Sequence, residues 1–131
     1  MNLVAIAALE TSSIAQGIVT ADAMVKQAEV EVIEATVLSP GRYWIVVGGE
    51  VATVRAAHRR GIEVAADALL DQLFIPQLHE GVLPALRGLV AGSEDDAVGV
   101  IETLTASSAI VAADVAAKTA AIVLRDLRLA N

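Results

Sequence analysis

The sequence predicts an α+β fold: a ferredoxin-like βαββαβ unit followed by a partial second copy running β-α-β. Three observations predict it. Short apolar runs alternate with amphipathic stretches in the order strand, helix, strand, strand, helix, strand. A strong break at Ser39-Pro40-Gly41 separates the second strand from the third, since Pro fixes φ and Gly tolerates tight turns. The opening pattern then recurs, ungapped, near the end of the sequence.

Residues 5–11 form a compact apolar run ending in Glu-Thr, as expected of a buried strand. Ser12 or Ser13 can cap the helix that follows by accepting a bond from a free first-turn amide. Ile14, Ile18, Ala21 and Val25 fall on one face of that helix, and this stripe is the expected core face. Lys26 sits near its C-terminus, where a cation meets the negative end of the helix dipole. Residues 30–37 give a second strand, with Val30, Val32 and Glu34 on one side and Glu31, Ile33 and Ala35 on the other. Residues 42–47 return as its hairpin partner. A second helix is expected over 51–68, with Val51, Val54, Ile62 and Ala65 inward. Gly61 there is a weak point or a close-packing site, and His58 is a packed histidine on the same stripe. Residues 69–76 form the fourth strand, and a short helix follows within 81–89, with Pro84 in its first turn.

Composition narrows the function classes. Of 131 residues, 56% are hydrophobic and 19% charged, enough for a filled core and against disorder. Aromatics are 2%, so small aliphatic side chains carry the apolar mass and suit close packing and flat subunit contacts. A net charge of −7 argues against general nucleic-acid binding. The absence of about 18 uninterrupted apolar residues argues against a membrane span. The N-terminus lacks a basic n-region, and without cysteine the chain forms no disulfide or thiolate metal site. No cofactor, metal site or catalytic residue is expected. His58 and His79 are the only histidines, and no Walker or Rossmann glycine motif occurs. Arg55, Arg59 and Arg60 form a basic cluster that reads as a solvated helix face before it reads as an anion site.

The repeat is the sharpest signal. Glu10-Thr11 recurs as Glu102-Thr103, an offset of 92 positions (102 − 10 = 92). At that offset Ile18-Val19 becomes Ile110-Val111, Ala21-Asp22 becomes Ala113-Asp114, Lys26 becomes Lys118 and Ala28 becomes Ala120. Alanine richness does not supply Glu-Thr, Ile-Val, Asp and Lys together, so the pattern is an internal duplication. The second copy is expected to hold a strand at 97–103, a helix and a strand at 122–129, reaching only the point where the first copy turns at Ser39. Half a unit leaves an open sheet edge. Another chain, another copy of this one, or a further C-terminal portion is expected to complete it. Glu10 and Glu102 recur through duplication and lie before helix starts; a catalytic carboxylate pair is the weaker reading.

Ala8-Leu9-Glu10-Thr11, the run Ala21-Asp22-Ala23-Met24-Val25-Lys26, the Ser39-Pro40-Gly41 turn and Gly49-Glu50-Val51-Ala52 resemble the bacterial microcompartment (BMC) shell domain. The similarity extends over 4–90, and the second copy resembles the first third of the same domain. The expected organisation is therefore a shell domain at 4–90, a linker at 91–96 and a partial second domain at 97–131. The duplication resembles the tandem-domain, trimer-forming class, and the incomplete second copy departs from it. The resemblance implies a structural subunit of a cytoplasmic microcompartment shell, a flat pseudohexameric trimer with a central pore. It implies other shell proteins as partners; a complementary chain remains one of the three ways of completing the second copy, and composition speaks against nucleic acid and membrane. It gives Lys26 and Lys118 a tile-edge role and assigns the pore loop to Leu38, Ser39, Pro40 and Gly41, where Pro40 departs from the usual glycine- and serine-rich loop. The family's edge arginine corresponds to Gln77, which brings no charge. The competing reading is a ferredoxin-like oligomeric regulatory module that binds a small ligand between subunits.

Overall fold

The computed structural model describes residues 4–90, 92 and 97–129. The chain divides into two compact units, the first ending at Leu78 and the second running from His79 to Leu129. The linker expected at 91–96 lies, apart from Gly92, outside the described residues.

The first unit is one antiparallel sheet of order β2-β3-β1-β4, built from β1 (Ala5–Thr11), β2 (Glu31–Leu38), β3 (Arg42–Gly49) and β4 (Leu69–Ile75). Strand β1 is paired on both sides, Ala5 to Thr11 running against Gly49 to Tyr43 and Ile6 to Thr11 against Ile75 to Leu69. Every residue of β1 is buried, as its unbroken apolar run requires. In β2 a register shift between Val32 and Glu34 breaks the simple alternation that the sequence suggests.

Helices α1 (Ile14–Gln27) and α2 (Val51–Ala65) pack on each other and on β1. Together with the sheet they enclose a core of Ala5, Ala7, Leu9, Met24, Ile45, Val47, Val54, Ala57 and Ala65. Helix α2 buries the face expected of it but stops at Ala65. Ala66 takes φ +47°, where an α-helix cannot propagate, and a 3-10 turn over Ala66–Ala68 completes the span read as helix. Gly61 is a close-packing site: a Cβ there would lie 2.8 Å from Met24 Sδ and 3.0 Å from Leu9 Cδ2.

Helix α1 corrects the sequence reading. Its buried residues are Gly17, Thr20 and Met24, whereas Ile14, Ile18 and Val25 are exposed and Ala21 only partly packs on the core. The physical reason is clearance. A Cβ on Gly17 would collide with Tyr43 of β3 and lie 2.7 Å from Thr11 Oγ1, so α1 meets the sheet through its smallest residue. Thr20 turns its hydroxyl back to the Gln16 carbonyl at 2.7 Å and enters the interior without an unpaired group. Hydrophobic periodicity located an apolar face, but not which face the sheet would claim.

The second unit contains α3 (Val82–Leu86) and α4 (Ala106–Thr119), which pack together. Among the described residues the strands expected at 97–103 and 122–129 are not formed, and neither segment is paired in the sheet. A strand exists only through its ladder, and β1 owes its own ladder to β3 and β4 on either side. Segment 97–103 is exposed throughout.

Candidate functional site

Three features of the first unit concentrate the residues singled out above. The first is the β2–β3 hairpin. Leu38 pairs with Arg42 and is buried at the base, while Ser39, Pro40 and Gly41 form an exposed tip. Gly41 sits at φ +71° with open space around its Cβ position, so glycine serves the turn and not close packing. The structure also reveals an anchor the sequence reading missed: Arg42 Nη1 lies 3.7 Å from Oε2 of Glu10, whose carboxylate is buried. The signal was the register, because Glu10 is opposite Trp44 and Arg42 is two residues away. Glu10 therefore holds the hairpin base, a structural use of the carboxylate considered for catalysis.

The second is the outer surface of α1. Lys26 Nζ donates to Asp22 Oδ2 at 2.7 Å across one helical turn, with both side chains exposed. A shallow groove beside them is lined by Val19, Ala23, Arg60 and Val64. The third is the end of β4, where Gln77 is exposed.

The basic cluster on α2 is largely engaged. Arg55 lies over the Phe74 ring at 4.7 Å, and Arg60 pairs with Glu63 at 3.2 Å. His58 is half-buried, with its Nε2 2.6 Å from Gln72 Oε1 and its ring tilted against Phe74. Burial holds its pKa below the ordinary histidine value, Arg55 and Arg59 push the same way, and the Gln72 bond opposes them.

In the second unit, α4 repeats the capping pattern of α1 at its start. Ser13 Oγ accepts from the Gln16 amide at 3.1 Å, and Thr105 Oγ1 accepts from the Ser108 amide at 3.1 Å. Thr11 Oγ1 donates to the Ser13 carbonyl at 2.8 Å, and Thr103 Oγ1 to the Thr105 carbonyl at 2.9 Å. Near the other end Lys118 Nζ donates to Asp114 Oδ2 at 2.6 Å, matching Lys26 and Asp22. Each pair is separated by the offset found in the sequence.

The two helices nevertheless bury different faces most deeply, and the α4 equivalents of Gly17, Thr20 and Met24 are only partly buried. Helix α4 buries Ala106, Ser107, Ile110, Ala113 and Asp114, whose α1 equivalents are Ile14, Ala15, Ile18, Ala21 and Asp22. All of those but the half-buried Ala21 are exposed. Part of the cover on α4 comes from the start of its own unit: the His79 amide donates to Asp114 Oδ1 at 2.8 Å, and α3 packs on α4.

Comparison with known proteins decides what this geometry belongs to. The BMC domain family model matches residues 5–78 and 97–131. The chain belongs to the BMC-domain family. Among its relatives, the bacterial microcompartment shell protein PduT of Citrobacter freundii is 38% identical over 126 residues, covering 96% of this chain and 68% of that protein. Carboxysome shell protein CsoS1 of Prochlorococcus marinus is 34% identical over 96 residues, covering 70% of this chain and 93% of that protein. A crystal structure of a microcompartment protein from Desulfitobacterium hafniense superposes with a TM-score of 0.73 at 36% identity, covering 91% of this chain and 66% of that one. The chain thus spans about two thirds of the length of PduT and of that solved structure. The family match on both sides of the linker agrees with the shared capping and ion-pair geometry. No helix among the described residues is long and apolar enough to cross a membrane.

Proposed function

We propose that this BMC chain is a structural subunit of a bacterial microcompartment shell in the cytoplasm, a building tile and not an enzyme. Its two copies lie side by side in a flat pseudohexameric ring, three chains to a ring. The observation that carries this is the difference in burial between α1 and α4. Of the five residues that α4 buries, four have α1 equivalents that are exposed, among them Ile18 and Asp22, identical to Ile110 and Asp114. A contact already made on one copy calls for the same contact on the other, supplied by a neighbouring subunit.

In this reading Lys26, with Asp22 holding it across a turn, and Lys118, held likewise by Asp114, meet the next tile, and Gln77 contributes a hydrogen bond where the family places an arginine. Leu38, Ser39, Pro40 and Gly41 border the central opening, where exposed backbone amides and the Ser39 hydroxyl can solvate polar metabolites. Its partners are copies of itself and other shell proteins. Names of relatives support the shell role: PduT and CsoS1 are both shell proteins.

The test separates ring from sheet. Ile18→Glu places a charge on the exposed α1 face without touching the core, and native mass spectrometry should show the ring dissociated. Lys26→Ala should keep the ring and abolish extended sheets in electron micrographs. An intact ring in the first variant and intact sheets in the second would defeat the proposal.

A further inference from the structure

We infer that Asp114 is a positioning residue for Lys118: its anchored carboxylate sets the lysine for contact with a neighbouring subunit before any neighbour arrives. Lys26, the counterpart in the first unit, has no such anchor in the free chain. The inference deepens the edge role proposed above and rests on that reading only for what Lys118 meets.

Lys26 and Lys118 are the only lysines of the chain, and each pairs with an aspartate one helical turn earlier. The pairs are alike in length, 2.7 Å for Lys26 and 2.6 Å for Lys118. Their settings differ. The side chains of Asp22 and Lys26 are 56% and 73% exposed, so water competes for both partners and the pair restrains the lysine weakly. The side chain of Asp114 is 8% exposed and that of Lys118 44%. Both oxygens of Asp114 are engaged: Oδ1 accepts from the His79 amide at 2.8 Å and Oδ2 from Lys118 Nζ at 2.6 Å. Among the described residues no main-chain amide reaches Asp22.

The anchoring amide is itself held. The Gly81 amide donates to His79 Nδ1 at 3.0 Å, and the Val82 amide donates to the His79 carbonyl at 3.1 Å. A Cβ on Gly81 would lie 3.3 Å from His79 Nδ1, so the ring sits tight against the turn. Turn, carboxylate and ammonium thus form one line of contacts from backbone to surface, all within the second unit. A lysine side chain loses rotamer freedom when it is ordered. At Lys118 bonds inside the chain have already imposed much of that loss, so an arriving partner meets a cation in place.

The experiment uses the dilute 131-residue chain, with N-acetoxysuccinimide as the probe and mass spectrometry reading acetylation at each lysine. Lys118 should react at least about fivefold more slowly than Lys26. Asp114→Asn keeps an oxygen for the His79 amide but offers Lys118 no carboxylate, and should bring the two rates within about twofold of each other. Asp22→Asn should change the Lys26 rate by less than about twofold. Where Asp114→Asn lowers stability too far for the assay, His79→Ala replaces it: the amide stays, the ring nitrogen that fixes the turn goes, and the Lys118 rate should rise at least about twofold at unchanged helix content by circular dichroism. Equal rates in the parent chain, or a Lys118 rate that the variants leave unmoved, overturn the inference. In electron micrographs Asp114→Asn should reduce extended sheets at least about fivefold while native mass spectrometry still shows the ring; undiminished sheets overturn the edge contact assigned to Lys118. The rates are read on single chains, so they hold even where ring and sheet fail to form, and a failure of the rates leaves the shell reading standing.

Discussion

Segments 5–11 and 97–103 share an ancestry and a local geometry, and they have opposite fates. In the first, seven residues lie at the centre of a sheet and are wholly buried; in the second, the equivalent residues are exposed and unpaired. Both precede a helix with the same cap and the same hydroxyl-to-carbonyl bond. Among the described residues, what separates them is the hairpin partner and the fourth strand, which only the first has. The lesson is that helix starts are written locally, in Ser13 or Thr105, whereas a strand is a property of its neighbours. Among the described residues Val98, Val100, Ile101 and Leu104 stay exposed, although burying each would contribute about 1.5–3 kcal/mol.

The comparison can be broken or sharpened by paired substitutions. The largest effect is expected at the helix–sheet notch. Gly17→Ala should destabilise the first unit by about 1–3 kcal/mol or more through collision with Tyr43, whereas Ala109→Gly should cost only about 1 kcal/mol of helix propensity. Chemical denaturation of the two variants checks the asymmetry, and equal losses would remove the clearance argument. The acids come next. Asp114 is buried and accepts from both His79 and Lys118, so Asp114→Ala should cost about 1.5–3 kcal/mol. Asp22→Ala loses only an exposed pair and should cost less than about 0.5 kcal/mol.

The smallest effect concerns pH and belongs to the first unit alone. Burial lowers the pKa of His58, so the unfolded chain binds more protons than the folded one once the pH falls below the ordinary value of 6.5. Stability contributed by neutral His58 is therefore present above that pH and is lost as the pH falls towards the depressed folded value. Melting temperatures taken from pH 7.5 to 5 should decline less in His58→Gln than in the parent chain; parallel curves would show that another group titrates.

The order of elements in the first unit was legible from the sequence because each signal was local: Ser13 caps α1, Ser39-Pro40-Gly41 turns the hairpin, and Val51, Val54, Ile62 and Ala65 recur at helical spacing. The duplication was legible because it needs only an offset. The buried face of α1 was not. Ile14, Ile18 and Val25 read as core, and only the position of Tyr43 above Gly17 shows why a glycine, a threonine and a methionine took that place. The strands of the second copy were over-read for the opposite reason, since their residues suit a sheet that the described chain does not provide. The Arg42–Glu10 anchor required the β1–β3 register, which no single stretch of sequence encodes.

The notch beneath α1 has a geometric corollary for a disc of three chains. Tyr43 is seated against Gly17, whereas the equivalent Ala109 carries the Cβ that Gly17 lacks, so in the proposed disc the six positions alternate between two lock shapes. Its rotational repeat is then 120° and not 60°. A hole framed by unlike lips can be triangular, and each lip can change its chemistry without forcing the same change on the one beside it.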